Sequence, residues 1–138
     1  MRWNSPKPAT IAMGAYLLFM LSITLLIFHE KSPPVQLSPF ASITRDWHKG
    51  GRAFWVNLVG NVVAFLPIGL LLARVRGPRL DTTVWHATAF GAGFSLTIEL
   101  SQLLSGMRTC DVDDLILNTI GAVCGYGLGE GVRAIQGH

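Results

Sequence analysis

The chain has 138 residues, enough for one domain; half are hydrophobic and only 14% are charged. A soluble core of that size cannot hide so much apolar surface, so lipid is the expected solvent. The net charge of +3 is modest, and no basic stripe interleaved with aromatics marks a nucleic-acid binder, so no nucleic-acid partner is expected.

Arg2, Lys7 and two prolines precede a charge-free stretch from Ile11 to Phe28. A signal-peptide core is usually shorter, and no small-x-small site follows in His29-Glu30-Lys31-Ser32-Pro33-Pro34. The stretch reads as a retained transmembrane helix over about 10–28. Its polar groups, Tyr16, Ser22 and Thr24, can bond within their own helix, so it reads as anchor and packing. Residues 29–52 read as a polar connection with Pro33, Pro34 and Pro39, closing in Asp46-Trp47-His48-Lys49-Gly50-Gly51-Arg52. Trp47 and Trp55 suit a membrane interface, and His48 reads as a solvated loop histidine.

A second span covers about 53–73. Asn57 and Asn61 sit one turn apart on one face, and amides in hydrocarbon are costly unless partnered, so both should point into the bundle. Joining helices by hydrogen bonds would alone account for them. Pro67 should kink or locally open this helix. Arg74, Arg76 and Arg79 then mark a short basic turn.

A third span runs over about 83–104, with Thr88, Gly91, Ser95, Glu99 and Gln102 in one stripe at helical spacing. An intramembrane carboxylate such as Glu99 must be neutral, paired or watered, which makes it a functional-site candidate. A structural ion pair with Arg108 is the competing account.

The fourth span, about 114–133, opens on Arg108-Thr-Cys-Asp111-Val-Asp-Asp114. Asp111, Asp114 and Asn118 share one helical face, which Gly121, Gly125 and Gly129 continue. Asp111 and Asp113 are placed to cap this helix; for Asp113, off the stripe, capping or solvation is the expected job. Cys110 and Cys124 are about 20 Å apart along a helix and read as unpaired. The acids suit an oxygen-ligated cation, but their spacing fits no metal motif, and neither metal nor cofactor is expected.

The expected fold is therefore all-α, one integral membrane bundle of four transmembrane helices filling residues 1–138. Basic residues at the N-terminus, in the 74–79 turn and at Arg133 place both termini in the cytoplasm. Alternation then brings Asn57, Asn61, Glu99, Gln102, Arg108, Asp111, Asp114 and Asn118 to the same, outer, end of the bundle.

The ordered set Pro39-Phe40, Asn57, Asn61-x3-Phe65-x-Pro67-x-Gly69, Glu99-x2-Gln102 and Arg108-x2-Asp111-x2-Asp114-x3-Asn118-x2-Gly121-x3-Gly125 resembles the VanZ-like family of small bacterial membrane proteins over roughly residues 39–129. Gln36 stands where members often carry an asparagine. The resemblance implies a four-helix protein of the bacterial cytoplasmic membrane and a link to resistance to the glycopeptide teicoplanin; it implies no reaction. Two functions are open, ahead of a proton- or ion-coupled transporter, for which 138 residues would need to dimerise to make a pathway. In the first, the outer polar pocket binds an amphiphile, a lipid-linked or glycopeptide ligand or a peptidoglycan-precursor group, with Arg108, Asp114 and Glu99 on the head group and the glycine face admitting its chain. In the second, the protein is a membrane-embedded enzyme acting on a lipid-linked envelope substrate, with Glu99 and Asp114 as acid and base.

Overall fold

The computed structural model describes residues 6–27, 35–75, 84–105 and 110–136. Among these the fold is all-helical apart from one pair of two-residue strands. The elements run α1 (Pro6–Ile27), β1 (Val35–Gln36), α2 (Ala41–His48), α3 (Gly51–Val75), α4 (Val84–Ser105), β2 (Cys110–Asp111) and α5 (Val112–Gln136). The four long helices coincide with the four apolar segments of the sequence, because only a helix satisfies every backbone group over an apolar run of that length. The polar connection departs from expectation: it holds α2, and β1 within it pairs in parallel with β2, Val35 opposite Cys110 and Gln36 opposite Asp111.

Helix α5 packs most extensively on α3 and next on α4, while α1 lies mainly against α3. The core joins Phe65, Ile68 and Leu72 of α3 to Ala122 and Tyr126 of α5, with Ile98 of α4 and Met13 and Met20 of α1. Helix α3 continues past Pro67 to Val75. The Tyr16 hydroxyl donates to the Ala64 carbonyl of α3 at 2.9 Å, not within its own helix, because the ring carries the hydroxyl beyond the reach of its own backbone.

The glycine face is filled by protein, which corrects the expectation that it admits a ligand's chain. A Cβ built on Gly125 would stand 2.0 Å from the Leu66 carbonyl oxygen, and one on Gly69 of α3 would stand 1.9 Å from the Ala122 oxygen. Backbone meets backbone along this seam, as small residues allow when helices pack in lipid. The outward faces are apolar: Leu18 and Phe19 of α1, Val56, Val59 and Val63 of α3, Leu100 and Leu104 of α4, and Leu128 of α5 are exposed. Helices α3 and α5 hold segments (Phe54–Val75 and Val112–Gln136) long and apolar enough to cross a membrane. Only 28% and 39% of their apolar windows are buried, whereas the core helix of a soluble protein is buried along most of its length.

Candidate functional site

The polar residues of the long helices turn inward and meet at one end of the bundle. On α4 the inward stripe contains Gly91, Ser95, Glu99 and Gln102, all buried; on α5 it contains Asp114, Asn118, Gly121 and Gly125, also buried. The first half of α3 supplies Asn57 and Asn61. Both protons of the Asn61 amide are used, one to Asp114 Oδ1 at 2.7 Å and one to Asn57 Oδ1 at 2.9 Å. Asn57 in turn donates to Asp46 Oδ2 of α2 at 3.2 Å. A hydrogen-bonded row thus runs from α2 across α3 to α5. One level deeper, Asn118 Nδ2 donates to Ser95 Oγ at 2.9 Å, joining α5 to α4.

Asp111 closes the start of α5. Its Oδ1 accepts from the Asp113 backbone N–H at 2.9 Å, the N-cap arrangement expected of it. Its own N–H donates to Glu99 Oε2 at 2.8 Å. Its Oδ2 receives the Ser42 hydroxyl, and Ser42 Oγ accepts from Arg45 Nη2 at 2.8 Å. Glu99 therefore anchors the entry strand of α5, and α2 is tied to the same knot.

Asp113 is a capping residue, but of α2 and not of its own helix. It is fully buried, and its carboxylate accepts from the backbone N–H groups of Phe40 at 2.5 Å, Ser42 at 2.9 Å and Ile43 at 3.2 Å. These are orphan donors at the start of α2, where the N-cap residue Phe40 has no side-chain bond of its own. Asp113 is therefore the cap of α2, supplied from another helix. It also holds Phe40 at φ 65, a left-handed conformation that is costly for a bulky residue.

Of the eight sequence-designated residues, the structure links Asn57, Asn61 and Asp114 in one network and Glu99 and Asp111 in a second, with Asn118 bonded below them. Gln102 is buried one turn beyond Glu99. Arg108 lies outside the described residues, as do Arg2, Arg76 and Arg79. Sequence reasoning missed Ser42 and Asp46 and set Asp113 to cap its own helix; the Pro39-Phe40 pair just ahead of α2 was their nearest signal.

Buried carboxylates need compensating donors, and here backbone N–H groups, the Asn61 amide and the Ser42 hydroxyl supply them. Two buried acceptors, Gln102 Oε1 and Asn118 Oδ1, have no hydrogen-bond partner among the described residues, and such atoms call for an explanation. An interior this rich in acceptors is suited to a group that brings donors. Among the described residues, no three His, Cys, Asp or Glu side chains are arranged to hold a metal ion.

Cys110 is free, and burial, then the charges of Glu99 and Asp111, push its thiol above its ordinary pKa. Its thiolate is scarce at neutral pH, which makes it a poor nucleophile. In a Cys124→Ser background, alkylation of Cys110 should show a pH midpoint above the free-thiol value of about 8.5, and Glu99→Gln should lower that midpoint by removing one of the charges that raise it. A wild-type midpoint at or below the free value contradicts this.

A family model described as VanZ/LLP1 matches residues 9–132. Protein VanZ of Enterococcus faecium is 30% identical over 115 residues, which cover 80% of this chain and 64% of that protein. The chain thus spans less than two thirds of the length of that relative. No solved structure matches.

Proposed function

The chain belongs to the VanZ/LLP1 family, and from this membership and the polar end of its bundle we propose that it is a multi-pass protein of the bacterial cytoplasmic membrane that binds the head group of an amphiphile or peptidoglycan precursor. On this reading α1, α3, α4 and α5 are four spans of a single domain. Both termini face the cytoplasm, and the polar end opens at the outer leaflet. Occupancy of the site lowers susceptibility to glycopeptides such as teicoplanin.

The observation that carries the reading is the pair of buried amide oxygens on Gln102 and Asn118 that have no partner among the described residues, each one turn from a buried carboxylate. A core designed only for packing gains nothing from such atoms, since an unsatisfied buried acceptor costs about 1–3 kcal/mol. A head group that brings donors would give such oxygens partners. Binding is favoured over catalysis because the one thiol near the carboxylates is held protonated, and Glu99 and Asp114 are both engaged in hydrogen bonds that fix neighbouring helices.

Lipid-precursor profiling of cells expressing wild type and Glu99→Gln separates the two. Binding predicts that the same precursor species are present in both, with glycopeptide susceptibility changed by the variant. A lipid species made or consumed only when Glu99 is intact overturns the binding reading in favour of the enzyme.

A further inference from the structure

The turn between α2 and α3 carries a surface that the site above does not use. Phe54 stacks edge to face on both Trp47 and Trp55, with ring centroids 5.2 Å and 5.1 Å apart. The two indoles remain 59% and 56% exposed. Lys49 and Arg52 of the same turn are exposed, while Arg45 donates to Ser42 and lies 4.0 Å from Asp46. The one acid in the stretch, Asp46, is turned inward: its side chain is 17% exposed and accepts from Asn57. The outward charge of the turn is therefore positive.

Two features fix this surface in space and say what covers it. Asp113 holds the first turn of α2, so the helix presents one face and cannot swing freely. Along α3, Arg52, Val56, Val59 and Val63 recur at helical spacing and are all exposed. A cation thus crowns an outward apolar stripe, the order in which a bilayer presents phosphate above acyl chain. Indoles with an apolar body and a polar edge settle at that same level.

We propose that this turn binds net-negative phospholipids of the leaflet that the polar end of the bundle faces. Lys49 and Arg52 meet the lipid phosphate, and Trp47 and Trp55 lie against the upper acyl chain. The inference rests on the reading of α3 as a membrane span, which sets its first turn at head-group depth.

The test uses the full chain with Trp3→Phe and Trp85→Phe, reconstituted in phosphatidylcholine vesicles. These carry a small, equal fraction of either brominated phosphatidylglycerol or brominated phosphatidylcholine. Brominated phosphatidylglycerol should quench the remaining tryptophans as though enriched about fivefold over its bulk share, the gain expected for each basic side chain near an anionic surface. Lys49→Gln with Arg52→Gln should remove that excess and leave quenching by phosphatidylcholine in place. Equal quenching by both lipids overturns the inference while leaving the membrane reading intact, and so does a preference that survives the double variant. Quenching that appears only on diluting the protein, the mark of a second copy on this face, also overturns it. No quenching by either lipid at any dilution removes the span reading of α3 and the inference with it.

Discussion

Asp113→Asn should lower thermal stability in detergent by about 3 kcal/mol or more and release the start of α2, although the side chain lies off the acid stripe of its own helix. The wild-type carboxylate serves three backbone N–H groups of Phe40, Ser42 and Ile43. Each buried donor left without an acceptor costs about 1–3 kcal/mol, and bonds to a charged acceptor are the stronger kind. The asparagine keeps one oxygen and turns an N–H₂ group toward donors, so at least one contact becomes repulsive. Phe40 also loses what holds it in the left-handed region. Hydrogen exchange at residues 40–43 should rise by orders of magnitude while the α3 core around Phe65 stays protected. Unchanged exchange at those amides would contradict the assignment.

Gly125→Ala should be comparably damaging, for a different reason. The added methyl would lie 2.0 Å from the Leu66 carbonyl oxygen and 2.9 Å from its carbon. Those atoms belong to the α3 backbone and cannot rotate away, so α3 and α5 must separate, loosening the contacts of Phe65, Ile68 and Tyr126. Overpacking of this kind costs about 1–3 kcal/mol and more when backbone must move. Gly127→Ala is the control: nothing lies within 4 Å of its added carbon, and the gain in helix propensity should leave stability equal or slightly higher. Equal melting temperatures for the two variants would show that the seam is looser than described.

These two cases show what was legible in the sequence. The four long helices were, because long, mainly apolar runs with few prolines favour a helix. The inward stripes of α4 and α5 were also, since helical spacing alone puts Ser95, Glu99 and Gln102, and Asp114 and Asn118, on single faces. Helix α2 was not. Ala-Ser-Ile-Thr-Arg-Asp-Trp-His is only eight residues long, carries just Ile43 and Trp47 as a large apolar pair at helical spacing, and sits between Pro39 and the Gly50-Gly51 pair. Its cap arrives from Asp113, about seventy residues away, where no local rule looks. The same distance hides the roles of Ser42 and Asp46, and the pairing of Gln36 with Asp111. The glycine seam was half legible: spacing gave close packing, and only the structure says that α3 fills the face.

The central claim is that the buried acids and amides at the polar end form a binding site and do more than fasten the helices. Growth inhibition by teicoplanin, in a host made resistant by the wild-type protein and corrected for membrane abundance, tests it most directly. Asp114→Asn and Glu99→Gln preserve shape and remove charge, and each should abolish resistance per molecule of protein in the membrane. Asp113→Asn, which acts on the fold alone, should lose resistance only in proportion to the protein lost. Full resistance per molecule in both Asp114→Asn and Glu99→Gln would contradict the claim and leave these carboxylates as structural fastenings.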